Sequence, residues 1–145
     1  MTSSQNQKPP IQKVRAIFLD NGKVLVVSST RKQGFFALPG GHVEEGEQHV
    51  VALIRELREE LSVQVREYHV QWLGTFALRA PKDGGKIITD LYFVGTYQGI
   101  LKPSGNVTSM QWVALDDLLA LNPRSHGGMF RHVVPALRKK GLLTA

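Results

Sequence analysis

Three glutamates, Glu56, Glu59 and Glu60, stand at i, i+3 and i+4 in a run whose apolar residues Val50, Leu53, Ile54, Leu57 and Leu61 recur at helical spacing. A helix there buries the apolar stripe and brings three carboxylates onto one neighbouring face. Like charges at that spacing repel by roughly 0.2–0.5 kcal/mol per exposed pair, and Arg55 and Arg58 offset only part of this. A hard divalent cation removes the repulsion. Mg²⁺ in particular is held by one or two carboxylates together with waters and substrate phosphates. Taken alone, the same spacing also describes an ordinary solvated helix face.

The approach to the helix narrows the choice. Leu38-Pro39-Gly40-Gly41 gives the backbone the freedom for an unusual loop, and Glu44, Gly46 and Glu47 follow before the helix begins. Read with its spacing, the stretch is Gly41, five residues, Glu47, seven residues, then Arg55-Glu56-Leu57-Arg58-Glu59-Glu60-Leu61-Ser62-Val63. This resembles the signature of the Nudix hydrolase family, and every specified position is met except the glycine, where this chain has Ser62. The likeness extends upstream through Gly34-Phe35-Phe36-Ala37-Leu38-Pro39, with Phe36 where the family often has Trp. A weaker late similarity lies in Trp112-Val113-Ala114-Leu115-Asp116.

The resemblance implies a loop-helix-loop metal site that hydrolyses a nucleoside diphosphate linked to another group, by attack of water on phosphorus. Glu56, Glu59 and Glu60 match the metal-binding glutamates, with Mg²⁺ as the cofactor and Mn²⁺ as a substitute. Glu59 and Glu60 are also the favoured general bases, and Arg55 and Glu47 complete the catalytic set as an ion pair that orients the helix. Glu44 matches a frequent loop glutamate. Arg31, Phe36, Gly40, Gly41 and Arg79 are candidate substrate contacts. The family pattern departs twice here. Ser62 occupies a position near the helix C-terminus where a left-handed conformation is common. Between Asp90 and Asp116 there is no Asp or Glu, so the late-loop acid of several family members is missing and Asn106 and Gln111 are the polar candidates in its place.

The chemistry of the reaction agrees with the residues. Cleaving a pyrophosphate needs charge lowered on non-bridging oxygens, a water held in line and a stabilised leaving phosphate, and bound metal supplies all three. The partner is then a nucleotide or nucleoside diphosphate derivative. A binding module that senses a nucleotide without cleaving it, or an RNA 5′-end pyrophosphohydrolase, are the alternatives, with RNA the less favoured.

Whole-chain properties leave room for that reading. The chain has 145 residues, 42% hydrophobic and 21% charged, which suits one globular domain with its own core. It has no cysteine, excluding a disulfide scaffold, a thiolate zinc site and a cysteine nucleophile. From Glu44 to Glu67 seven acids face three arginines, so against a whole-chain net charge of +6 the remainder carries +10, as solvated charge or as attraction for a polyanion. No apolar run approaches a membrane span. Residues 1–10 read as a disordered tail without a signal-peptide core, so a cytoplasmic location is expected, as monomer or homodimer.

The elements that must carry the site follow from pattern. Residues 14–19 and 23–27 read as strands around an Asn21-Gly22 hairpin turn. Residues 35–38 form another strand, and 48–61 the glutamate helix. Residues 65–78, 87–97 and 111–113 read as strands, and 116–121 and 129–140 as helices. The expected fold is α/β (α+β): a Nudix-like α/β/α sandwich with a mixed β-sheet over a single domain, residues 11–145.

Overall fold

In a computed structural model, residues 9–29, 35–79, 85–121 and 128–143 are described. Eight strands and two α-helices follow one another as β1 Ile11–Ile17, β2 Leu19–Asp20, β3 Lys23–Ser29, β4 Phe36–Ala37, β5 Gly40–His42, α1 His49–Leu61, β6 Val70–Arg79, β7 Lys86–Val94, β8 Val107–Ala114 and α2 Phe130–Lys139. Single 3₁₀ segments, Glu67–His69 and Leu115–Ala120, precede β6 and follow β8.

The strands make two four-stranded sheets. One runs β5-β1-β7-β6 and is mixed, because β1 and β7 are parallel while β1–β5 and β6–β7 are antiparallel. In the other, β3 pairs with β8 along its length and with β2 and β4, all antiparallel. The Asn21-Gly22 turn closes the β2–β3 hairpin with φ of 51° and 74°, the doubly left-handed turn that matches strand twist.

Alternation along the strands separates two cores. Val14 and Ala16 of β1, Leu25 and Val27 of β3, and Tyr92 and Val94 of β7 pack with Ala52, Leu53, Leu57 and Leu61 of α1. Their neighbours Ile17, Val24, Val26 and Leu91 face the opposite way, against Leu118 of the 3₁₀ segment and Phe130, Val133, Ala136 and Leu137 of α2. A period-2 pattern with both faces apolar thus places α1 on one side of the strands and α2 on the other, an α/β/α arrangement. No described helix is long and apolar enough to cross a membrane.

Some boundaries differ from the sequence pattern. The strand expected from residue 65 begins at Val70, because Val65 turns into the α1 core and 67–69 form a 3₁₀ turn. The short strand expected at 111–113 is β8, of eight residues, whose polar positions Thr108, Ser109 and Gln111 conceal its length. The helix expected at 116–121 is 3₁₀ rather than α.

Candidate active site

The loop entering α1 and the helix itself are tied by one arginine. Arg55 Nε donates to Glu47 Oε2 at 2.8 Å and its NH2 to Glu47 Oε1 at 3.0 Å, a bidentate pair. NH1 donates to Glu56 Oε1 at 3.0 Å, and NH2 also donates to the His42 carbonyl at 3.0 Å. Glu44 and Glu59 approach the same guanidinium at 3.8 and 3.6 Å. The Glu47 Oε1 atom further accepts from the Glu44 N–H at 3.0 Å, closing the turn before the helix. The Arg55 guanidinium holds the Glu47 carboxyl down at about 2, and the hydrogen bonds that Arg55 donates to Glu47 and Glu56 push Arg55 up. With its donors committed to protein oxygens, Arg55 serves as the brace of the loop-helix junction.

Gly40 and Gly41 form the floor under the carboxylates. The Gly40 N–H donates to Glu60 Oε1 at 3.0 Å. Gly40 adopts φ +141°, and a Cβ there would lie 1.9 Å from the Val14 carbonyl oxygen. At Gly41 a Cβ would meet the Glu56 carboxylate at 2.5–2.8 Å. A side chain at Gly40 would collide with backbone, whereas one at Gly41 would require the Glu56 carboxylate to move. Antiparallel pairing of Val14 with Gly41 and Arg15 with Gly40 sets this floor against β1.

Three carboxylates on one helix face have unlike surroundings. Glu59 is 55% exposed, whereas Glu56 is 15% exposed and Glu60 is half-buried. Burial pushes Glu60 up to about 8; the Gly40 N–H and Arg15 pull the other way, and the charge of Glu56 and a hydrogen bond shared with it push further up. Glu56 and Glu60 stand one helical turn apart, at i and i+4. Among the described residues no group of three or more His, Asp or Glu side chains already stands close enough together to hold a metal ion. The open set of hard carboxylate oxygens on this face fits a small divalent cation that retains waters and takes oxygens from its substrate.

The sign of the pH effect follows. Glu60 has a folded pKa raised above its unfolded value near 4.5, so its stabilising contribution is full below about 4.5 and is lost as pH rises through about 8. Glu47 is the reverse, contributing above about 4.5 and losing it as pH falls toward 2. In chelator, the melting temperature is expected to peak near pH 5 and to fall toward pH 8–9, and thermal unfolding across that range with EDTA checks it. A melting temperature that stays level from pH 5 to 9 contradicts the burial of Glu60.

Arg15, half-buried in β1, belongs to this site although its sequence position among Val14, Ala16 and Ile17 suggests only a strand. Its NH1 donates to the Leu38 carbonyl at 2.9 Å, and its charge acts on Glu60 and Glu56; burial pulls the guanidinium down while those two carboxylates push it up. A lone arginine in an apolar strand is the signal that could have marked it. At the other end of α1, His49 Nδ1 lies 2.6 Å from Asp90 Oδ2, and Thr75 donates to Asp90 Oδ1 at 2.5 Å, tying the helix start to β6 and β7.

Phe36 is half-buried against the α2-side core, and Phe76 stacks on His132 with ring centres 4.3 Å apart. Arg79 ends β6, its side chain outside the described residues, and Arg31 lies outside them altogether. Gln111 sits on β8 opposite Val26, and Asn106 in the exposed turn before it.

Ser62 has φ 62° and ψ 25°, the left-handed conformation expected where the family has glycine. Its N–H bonds the Arg58 carbonyl at 3.2 Å and its hydroxyl meets Ser104 Oγ at 3.1 Å. Relief of about 1 kcal/mol of steric cost in Ser62→Gly is opposed by loss of one exposed hydroxyl bond worth about 0.5–1 kcal/mol. The expected change in melting temperature is nil to slightly upward; a clear fall would show the hydroxyl outweighs the strain.

Fold, loop and carboxylate helix define a class, and the comparisons agree with it. A family model described as NUDIX domain matches residues 10–133, and the chain belongs to that family. It is an enzyme of the Nudix pyrophosphohydrolase type. The chain is similar to YvcI, a Nudix hydrolase of Bacillus subtilis (strain 168), at 28% identity over 126 residues, covering 83% of this chain and 75% of that one. It is similar at 27% over 111 residues to the ADP-ribose pyrophosphatase of Methanocaldococcus jannaschii, covering 75% of this chain and 64% of that enzyme's length. The solved NUDIX hydrolase from Nitrosomonas europaea shares the fold with a TM-score of 0.72 at 17% identity, covering 94% of this chain and 97% of that one.

Proposed function

We propose that this protein is a divalent-metal-dependent hydrolase that cleaves the phosphoanhydride bond of a nucleoside di- or triphosphate derivative. The observation that carries the reading is the Glu56 and Glu60 carboxylates set against the Gly40-Gly41 floor, with Glu59 on the open side. Glu56, Glu59 and Glu60 would hold Mg²⁺ or Mn²⁺, which supplies neutralisation of phosphate charge and a water of lowered pKa. Water oxygen forms the new bond to phosphorus, the bond to the bridging oxygen breaks, and the leaving phosphate departs with that oxygen. Glu59 or Glu60 takes the proton that the water loses. Arg55 and Glu47 keep the loop and helix in register, and the Gly40 N–H fixes the Glu60 carboxylate.

The name of the archaeal relative makes ADP-ribose the first substrate to try, with nucleoside triphosphates second. A panel of nucleoside diphosphate sugars and triphosphates is incubated with Mg²⁺, Mn²⁺ or EDTA in ¹⁸O-water, and ³¹P NMR of the products reads which phosphorus gained the label. Metal-dependent release from at least one class is expected. Absence of turnover across the panel, with nucleotide still bound, would replace this reading by a sensing module.

A further inference from the structure

The last four carbonyls of a helix have no partner within it, and helix ends fray. In α1 that last turn carries Glu59 and Glu60, whose mutual repulsion with Glu56 favours fraying further. Each of the four carbonyls nevertheless has a donor. Arg58 O accepts from Ser62 N at 3.2 Å and Leu61 O from Lys102 N at 3.0 Å. Ser104 supplies the other two, its N–H to Glu60 O at 2.9 Å and its hydroxyl to Glu59 O at 2.6 Å.

Proton accounting orders the hydroxyls. Ser104 Oγ has one proton, committed to Glu59 O, so at the 3.1 Å contact Ser62 Oγ must be the donor and Ser104 Oγ the acceptor. The segment delivering Ser104 is itself anchored: Gln64 and Gln98 exchange two backbone hydrogen bonds at 2.9 Å, and Leu101 packs against the α1 core. Gly105 passes so close that a Cβ there would lie 3.0 Å from Glu59 O.

We propose that Ser104 is a positioning residue for Glu59 and Glu60, and that the Ser62-to-Ser104 hydroxyl relay takes the place of the family glycine at the end of the catalytic helix. The relay accepts the strain of a left-handed serine and returns a polarised donor to the carbonyl of Glu59. Its importance for turnover rests on the metal-site reading above; its grip on the helix end does not.

The test uses the full chain with Ser104→Ala, Ser104→Thr, Ser62→Gly and the Ser62→Gly/Ser104→Ala double variant. Alanine at 104 keeps the backbone N–H and removes only the hydroxyl. Without metal, amide hydrogen exchange at residues 59–62 is expected to quicken in Ser104→Ala and to be restored in Ser104→Thr. Mn²⁺ binding, read by electron paramagnetic resonance, should weaken roughly tenfold or more, as for lost outer-shell partners. The rate constant kcat should fall with it while the substrate KM stays within about twofold, and Ser104→Thr should recover both. Ser62→Gly should raise the melting temperature more in the Ser104→Ala background than alone, because there the relay is already lost and only strain is relieved. Unchanged exchange at 59–62 in Ser104→Ala overturns the proposal, and so does a lowered melting temperature with exchange, Mn²⁺ affinity and kcat unaltered. If the unmodified protein binds no Mn²⁺, the metal-site reading fails, and exchange together with the double variant still decides whether the relay exists.

Discussion

Replacing Glu60 by Gln is expected to lower kcat by at least about a hundredfold while leaving the protein folded and, in chelator above neutral pH, more stable than the unmodified chain. The amide oxygen of Gln can accept the Gly40 N–H as Glu60 Oε1 does at 3.0 Å, and its NH₂ can donate to the Glu56 carboxylate. The substitution therefore keeps the local contacts and removes the charge that burial disfavours. Glu59→Gln should lose turnover on a similar scale, but without the stability gain at alkaline pH, because Glu59 is 55% exposed and has no buried charge to relieve. Steady-state kinetics at saturating Mg²⁺ and thermal unfolding in EDTA at pH 5 and pH 9 separate the two effects. Near-normal turnover in both variants would defeat the assignment of the helix face as the reaction centre, whatever the stability data show.

That pair of variants could be named from sequence because helical spacing alone places residues 56, 59 and 60 together, and α1 runs from His49 to Leu61 as the apolar period requires. The Arg55–Glu47 brace was legible through the family spacing, and Ser62 through its departure from it. The inequality among the three carboxylates was not legible. It arises from Gly40, Gly41 and Arg15, which reach Glu56 and Glu60 only because β5 pairs antiparallel with β1. Register between non-consecutive strands has no local signal when the strand is three residues long. Ser104 was hidden for the same reason, lying 45 residues beyond the carbonyl it serves. Gly40 and Gly41 were expected as substrate contacts from their place in the loop; the structure adds that the Gly40 N–H holds Glu60 and that a Cβ at Gly41 would meet the Glu56 carboxylate.

The two glycines should therefore respond differently to the same added methyl group. Gly40→Ala is expected to cost on the order of 4 kcal/mol or more, enough to leave little folded protein. Its Cβ would fall 1.9 Å from the Val14 carbonyl oxygen and 2.9 Å from Arg15 Cα, both backbone atoms of a strand paired on one side with β5 and on the other with β7. That strand cannot retreat without breaking register with both neighbours, and φ of +141° is itself hostile to an L side chain. Gly41→Ala meets only the far end of the Glu56 side chain, at 2.5–2.8 Å, which can swing aside by rotation about its own bonds. The fold should persist with a modest fall in melting temperature, while the displaced carboxylate breaks its 3.0 Å contact with Arg55 and leaves Glu60. Turnover should then drop about tenfold or more, with the half-saturating Mg²⁺ concentration raised. Circular dichroism on heating, together with a metal titration of the rate, distinguishes the cases. A folded Gly40→Ala protein of ordinary melting temperature would refute the close approach of β5 to β1, and a Gly41→Ala enzyme with unchanged rate and metal requirement would remove Glu56 from the site.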